Sequence, residues 1–372
     1  MIELRSVTKK YGDRSAVKDL TLRITGGEVC VLIGPSGCGK STTIKLVNRM
    51  LEPDEGLIFV NGKNVAHSRP EDLRRRIGYV IQYIGLFPHM TVAENIAVVP
   101  KLLSWERQKI AARVDELLHM VGLDPGEYRE KYPHELSGGE AQRIGVARAL
   151  ASDPPVLLMD EPFGAVDPLN REILQAEFIK IQKELKKTVL FVTHDLDEAI
   201  RIADRVALMR DGALVQHETP ENILAHPLNR FVHDFVGTDR ALKRLSRFSV
   251  SKAMREGYTV SVTEYPARVE QMLKRDSWIR FIWIVDERGV LRGWLDTRDF
   301  VAFGGSEEAV TELQGGRFGV REDATLREAL SRMLAEGVKL LPVLDMNGKV
   351  VGEIGLKDIE KVTEEVTDRW KD

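Results

Sequence analysis

The sequence predicts two folded regions in tandem: an α/β region on a mainly parallel sheet, then an α+β region made of a duplicated unit. Three features carry this. Apolar strands alternate with helical stretches in the first part, a glycine-rich turn joins one of those strands to a helix, and an ungapped repeat fills the C-terminal third. Residues 28–33 (EVCVLI) are short, apolar and β-branched, as a strand covered on both faces requires. Residues 41–47 read as a helix opening on the turn that follows. Residues 156–160 and 188–193 are two further buried strands, and 105–121 and 140–151 space their apolar residues at the helical period. Such alternation argues for a parallel sheet with helices on both faces.

Composition narrows the class. The 372 residues carry 54 Lys+Arg against 57 Asp+Glu, a net charge of -3, so overall charge gives no attraction to nucleic acid and no nucleic-acid partner is expected. A hydrophobic fraction of 43% with 30% charged residues excludes a disordered or fibrous chain. Two cysteines exclude a disulfide-built scaffold. The segment MIELRSVTKKYG lacks the pattern of a signal peptide, and no apolar run approaches the ~20 residues that span a bilayer. A cytosolic protein is expected, with any membrane role reached through a partner.

Gly34-Pro35-Ser36-Gly37-Cys38-Gly39-Lys40-Ser41, followed by Thr42, fits the phosphate-loop pattern G-x-x-x-x-G-K-[ST] between a strand and a helix. The glycines let backbone N–H groups turn inward around phosphate oxygens, and the helix N-terminus adds partial positive charge. Lys40 is expected to reach the β- and γ-phosphates of a bound nucleotide, and the Ser41 hydroxyl to ligate Mg²⁺. An ordinary strand–helix turn needs neither Lys nor Ser after its last glycine. Cys38 in the loop and Cys30 in the strand before it read as small packing residues.

Val156 to Met159 lead into Asp160, Glu161 and Pro162, so an apolar strand ends in two acids. At a strand end beside a phosphate loop, Asp160 is the candidate partner of Mg²⁺ and Glu161 the candidate base for the attacking water. His194 ends the third strand of what should be the same sheet. The other seven histidines show no metal-ligand spacing.

Leu136-Ser137-Gly138-Gly139-Glu140, with Ala141-Gln142-Arg143 behind it, joins the loop and the acids into one ordered set. Residues 1 to about 238 resemble an ATP-binding-cassette (ABC) ATPase, a P-loop fold with a RecA-like core and a helical subdomain. The resemblance implies that Tyr11 stacks on adenine, that Gln82 senses Mg²⁺ and the attacking water, and that His194 is the γ-phosphate switch. It implies that Asp167 belongs to the loop through which two cassettes communicate. It implies also a homodimer, in which Ser137 and Gly139 contact the nucleotide of the opposite subunit. Residues 83–90, directly after Gln82, lie where family members receive a helix of their membrane permease. Glu140 stands where Gln is commoner, and Gly164-Ala165-Val166 where Ser-Ala-Leu is. Signature contacts run through Ser and backbone N–H groups, so Glu140 should be tolerated.

The repeat decides the second half. Each residue of 279–300 (IRFIWIVDERGVLRGWLDTRDF) falls on the residue 59 places later in 338–359 (VKLLPVLDMNGKVVGEIGLKDI), without a gap. Asp286, Gly289, Gly293 and Asp299 fall on Asp345, Gly348, Gly352 and Asp358. Each copy reads strand, glycine turn, strand, helix start. Upstream, Val262-Thr263-Glu264 is set against Val320-Arg321-Glu322. The tandem resembles a pair of CBS domains, and a cassette followed by such a pair resembles the ATPases of glycine betaine, choline and carnitine importers, as does the stretch 77–89. That resemblance implies a peripheral place on the inner face of the cell membrane, a separate permease and an external substrate-binding protein.

The expected division is a cassette at 1–238, a basic linker at 239–247, CBS units at 248–304 and 305–363, and a charged tail at 364–372. In CBS pairs a Ser or Thr three residues before an Asp often holds an adenine nucleotide. Asp299 and Asp358 are present as candidate ligand residues, but Asp296 and Gly355 precede them. A second carboxylate repels phosphate. A cyclic dinucleotide, ionic-strength sensing or a structural role stay open. The linker cations Arg240, Lys243, Arg244 and Arg247 read as a solvated helix face. Against the acids Glu360, Glu364, Glu365, Asp368 and Asp372 they would make a salt-sensitive contact, since the screening length falls from ~30 Å at 0.01 M to ~8 Å at 0.15 M salt.

Overall fold

A computed structural model describes residues 1–82, 85–164, 166–237, 239–276, 278–312 and 318–363. They fall into two compact units, with residues 1–223 and 227–236 in the first, and 224–226 and those from 237 onward in the second.

The first unit is built on a six-stranded sheet in the order Ala213–Glu218, Arg205–Arg210, Val29–Ile33, Thr188–Val192, Val156–Asp160, Ile77–Val80. All neighbours are parallel except the edge strand Ala213–Glu218. Three of the inner strands, Val29–Ile33, Thr188–Val192 and Val156–Asp160, are buried along their whole length, which is why they read as unbroken apolar runs. Leu32 pairs with Val192 and Val192 with Asp160, so these strands end level with one another. The loops after them open on one crevice at the C-terminal edge of the sheet, where open α/β sheets hold their ligands.

A second, antiparallel sheet runs Arg14–Ile24, Ile2–Tyr11, Glu55–Val60, Lys63–Asn64. It is an addition to the parallel architecture expected from sequence. Its inner residues Ile2, Leu4, Leu20 and Leu22 share a core with Leu32, Ile44 and Leu158. The helix expected at 105–121 is Arg107–Met120, and that at 140–151 is Gly138–Leu150, opening on the signature glycines.

In the second unit the repeat is structural. Phe281–Val285, Leu291–Asp296 and the start of Thr297–Ala302 answer to Leu340–Leu344, Val350–Gly355 and the start of Leu356–Thr363, each 59 residues on. Asp286 and Asp345 explain their recurrence. Each carboxylate accepts two backbone N–H groups of its own hairpin turn, Arg288 and Val290 in one copy, Asn347 and Lys349 in the other, at 2.8–2.9 Å. Gly289 and Gly348 supply the left-handed residue at φ 81° and 80°. The turns then pair with each other through Val290 and Lys349, equivalent positions, so a local two-fold axis passes between the copies.

Two details differ from the sequence alignment. Val260, not Val262, is the counterpart of Val320: Val260 lies opposite Ile284 and Val320 opposite Val343, which is 59 residues on from Ile284. The segments leading into each copy are also exchanged. Arg255 bridges to Glu353 of the second hairpin, whereas Val310–Glu312 pairs with Leu291–Asp296 of the first. Periodicity cannot reveal such long-range pairing.

The basic segment forms a helix, Arg240–Leu245, in which Arg240 and Arg244 are buried, so the run is not a solvated face throughout. Leu245 packs with Val250, Val320, Leu341 and Ile354. The tail acids Glu364, Glu365, Asp368 and Asp372 lie outside the described residues. Leu341 is fully buried in that core. Leu341→Ala should destabilise this unit by about 2–5 kcal/mol, as cavity-forming substitutions do, measured by denaturant unfolding.

Candidate functional site

The phosphate loop is shaped by two close backbone approaches. A Cβ on Gly34 would sit 2.1 Å from the Met209 carbonyl oxygen, and one on Gly39 would sit 2.3 Å from that of Ala16. Both residues have positive φ, 147° and 108°, so no other residue fits either place. Gly39 caps the helix Lys40–Val47. Lys40 is 6% exposed, and its ammonium donates to the carbonyls of Gly34 at 2.7 Å and Pro35 at 3.0 Å. Beside it opens a cleft of about 550 Å³ lined by Ala16, Ser36, Gly37, Gly39, Lys40, Ser41, Thr42, Gln82, Glu161 and His194.

Glu161 lines the cleft, and Asp160, the residue before it, reaches the cleft's Ser41; the two acids have different environments. Asp160 is buried and accepts the Ser41 hydroxyl at 3.3 Å. Burial pushes its carboxyl above the ordinary aspartate value, against the opposing pull of Ser41. A buried carboxylate bonded to the Ser41 hydroxyl is the oxygen-donor chemistry that suits Mg²⁺. Glu161 turns the chain out of the strand with φ 46°, a left-handed conformation that costs about 1 kcal/mol or more in a non-glycine residue. Its N–H donates to the Val192 carbonyl at 2.9 Å. Its Oε2 accepts Gln82 Nε2 at 3.2 Å and lies 3.2 Å from His194 Nδ1. One carboxylate thus gathers residues from three loops, and His194, 66% exposed at its side chain, faces the open side.

Other expected residues stand outside this cleft. Tyr11 is 52% exposed, paired with Arg14 at the end of its strand. Ser137 is exposed and Gly139 half-buried. Ser137 caps the helix Gly138–Leu150, accepting the Glu140 N–H at 3.3 Å, while Glu140 Oε2 accepts the Ser137 N–H at 2.7 Å. Tyr128 donates its hydroxyl to the other Glu140 oxygen. Tyr128, then the Ser137 bonds, hold the Glu140 carboxyl down at about 2. The acid at this position therefore has a local reason: it closes a capping box. Asp167 caps Pro168–Leu185, accepting from the Asn170 N–H at 3.2 Å and from Asn170 Nδ2 at 2.8 Å. Cys30 and Cys38 are buried thiols whose pKa values burial raises, in keeping with packing roles.

The two CBS candidates differ. Asp358 is buried and folds back to accept the Gly355 N–H at 3.0 Å, with Arg255 3.8 Å away. A Cβ at Gly355 would lie 3.3–3.4 Å from Leu340, Asp358 and Lys339, so the Asp358 carboxylate packs closely on this glycine. Arg255 and Trp283 both donate to the buried Glu353, at 3.0 and 3.1 Å. Asp299 is exposed, while Asp296 accepts the Arg298 N–H at 3.0 Å as a helix cap.

Sequence reasoning missed Arg171. It donates to the Val166 carbonyl at 3.1 Å and lies 3.7 Å from Asp195, tying the Asp167 loop to the His194 loop. No short-range pattern links 171 to 195. Ala16 was missed because only its backbone matters.

A buried lysine in a glycine loop, at the switch edge of a parallel sheet and with an acid pair behind it, defines a P-loop nucleoside triphosphatase. Residues 17–164 match the ABC transporter family and residues 318–365, the second repeat, match the CBS domain family. The chain is 46% identical to the carnitine transport ATP-binding protein OpuCA of Listeria monocytogenes, over 95% of this chain and 89% of the relative. It is 44% identical to the glycine betaine/carnitine/choline transport ATP-binding protein OpuCA of Bacillus subtilis, over 95% and 93%. The dimeric ATP-binding cassette MJ0796, solved with ADP and Pi after hydrolysis, superposes with a TM-score of 0.53 at 33% identity, covering 59% of this chain and 98% of that one. The chain belongs to the OpuCA family of ABC transporter ATP-binding proteins and is an ATPase.

Glu140→Ala should lower stability by about 1 kcal/mol, the usual size of a lost cap. Because the carboxyl is held low, its contribution is present above the unfolded value of 4.5 and lost as pH falls toward about 2. Thermal melts of the two proteins should therefore converge over that window.

Proposed function

We propose that the chain powers import of a quaternary-ammonium osmoprotectant of the glycine betaine, choline or carnitine type, as a pair of cassettes closing around ATP beneath a membrane permease. The observation that carries the chemistry is the Glu161 carboxylate, 3.2 Å from both Gln82 and His194 at the wall of the phosphate-loop cleft. The solute class is supported by the carnitine and glycine betaine/carnitine/choline transport named for the relatives. An external binding protein would deliver the solute, and the chain would work at the inner face of the membrane. Among the described residues no helix is long and apolar enough to cross it.

In this reading the loop from Gly34 to Ser41, with Pro35, Ser36, Gly37, Cys38 and Gly39 between them, and Thr42 wrap the phosphates. Lys40 exchanges its carbonyl partners for β- and γ-phosphate oxygens. Ser41, Asp160 and Gln82 would hold Mg²⁺, which when bound offsets phosphate charge. Glu161 takes a proton from the attacking water while Gln82 orients it, and His194 holds the γ-phosphate. Phosphoryl transfer asks for little more than this positioning and charge neutralisation. Tyr11 stacks on adenine, and Ser137, Gly139 and Asp167, all outside the cleft, complete the site of the opposite cassette. The domain division is a cassette at 1–238 joined by 239–247 to a regulatory CBS pair. Of its two candidate aspartates, the exposed Asp299 is the accessible one for an adenine or cyclic dinucleotide.

Glu161→Gln should bind ATP and dimerise yet hydrolyse it about 10²–10⁴-fold more slowly; wild-type turnover would overturn the assignment of the base. Reconstituted with its permease and binding protein, the wild-type chain should drive ATP-dependent uptake of betaine, choline or carnitine. Uptake of none of the three would overturn the solute class.

A further inference from the structure

The turn that follows Gln82 is held from behind by one buried amide. Asn95 lies in the first turn of the helix Val92–Leu102 and is fully buried. Its Oδ1 accepts the Phe87 N–H at 2.8 Å, and its Nδ2 donates toward the carbonyls of Phe87, Met90 and Thr91 at 3.2, 3.1 and 3.0 Å. Every polar atom of the side chain is thus spent on one short stretch of backbone. A buried amide with both ends engaged is costly to replace, since removing it leaves the backbone groups unpaired.

The helix that carries Asn95 is itself fixed. Thr91 and Glu94 form a capping box, and the Val92 and Ala93 N–H groups donate to the Lys131 and Arg129 carbonyls. On another side, Arg148 of the signature helix donates to the Gly85 carbonyl at 2.7 Å and lies 5.8 Å from the Phe87 ring.

The pinned turn displays apolar side chains outward. Phe87 is 41% exposed, Leu86 and Met90 are half-buried, and Pro88 and His89 are exposed. Tyr83 and Ile84 lie outside the described residues. Backbone bonds at Gly85, Phe87 and Met90 hold the turn with these side chains presented, and order set before docking need not be won during it. The turn starts close after Gln82, whose amide reaches Glu161.

We infer that Asn95 is a positioning residue for coupling: it holds residues 86–90 in the shape that receives the permease, and so sets how strongly the permease stimulates hydrolysis. The inference rests on the reading of the chain as a permease-driven ATPase. Asn95 touches neither nucleotide nor attacking water.

The test uses the full chain with its reconstituted permease, measuring ATPase activity without permease and across a permease titration. Asn95→Ser should keep wild-type activity without permease and need about tenfold more permease for half-maximal stimulation, as expected for losing a net hydrogen bond or two. Asn95→Asp, which keeps the acceptor for Phe87 but loses the donated bonds, should shift the same way and guards against one variant failing to fold. Phe87→Ala should shift the titration too, and the double variant Asn95→Ser, Phe87→Ala should be no worse than the weaker single. Basal and stimulated rates falling in parallel, or an unchanged titration in the Asn95 variants, would overturn the role. A wild-type chain that its permease neither binds nor stimulates would instead overturn the reading beneath it.

Discussion

The first unit depends on the register of its parallel strands. Leu32, Val192 and Asp160 stand side by side across three neighbours, and Val80 stands beside Met159. That register brings the phosphate loop, His194, Glu161 and Gln82 out at one edge and at one level. A slip of one residue would turn each strand's side chains to the opposite face, and the acids would lose the cleft. Complete burial of three of these strands makes such a slip costly, so the packing of Val31, Leu158 and Phe191 is part of the catalytic geometry.

The same edge holds charge in a state prepared for a ligand. Lys40 is solvated by two loop carbonyls, while the buried Asp160 accepts the Ser41 hydroxyl. Neither arrangement satisfies a full charge. Each becomes more favourable when an anion or a cation of the right size enters, and a change of side-chain partners is all that this asks of the loop. Glu161 carries backbone strain for the same end, since its left-handed turn aims the carboxylate at Gln82 and His194 rather than along the strand.

What the sequence made legible follows from the range of each interaction. Strands buried on both faces announce themselves as apolar runs, and Val156–Asp160 came out with its bounds as read. The antiparallel sheet is covered on one face, so its strand Arg14–Ile24 alternates buried and exposed residues and makes no unbroken apolar run. Motif residues were legible because phosphate chemistry fixes residue types at fixed spacing. Asn95 and Arg171 were not: Asn95 meets only backbone groups, which any sequence supplies, and Arg171 meets a backbone carbonyl and an aspartate 24 residues away. The repeat gave the hairpins to the residue, yet not the exchange of lead-in segments, which is a matter of which copy each segment meets.

That repeat also limits what duplication implies. The turn aspartates Asp286 and Asp345 do the same work in both copies, because each serves its own hairpin. Residues facing the other copy have diverged. Glu353, bonded to Trp283 and Arg255, occupies the place of Trp294, and Trp283 that of Pro342. The difference reaches the candidate ligand residues: Asp358 accepts the Gly355 N–H and is buried, whereas Asp296 caps its own helix and Asp299 is exposed. Two positions equivalent in sequence are thus one internal strut and one accessible acid. A pair built on a two-fold axis has kept its hairpins and lost the equivalence of these two acids, because each now answers to a different neighbour at the start of its helix.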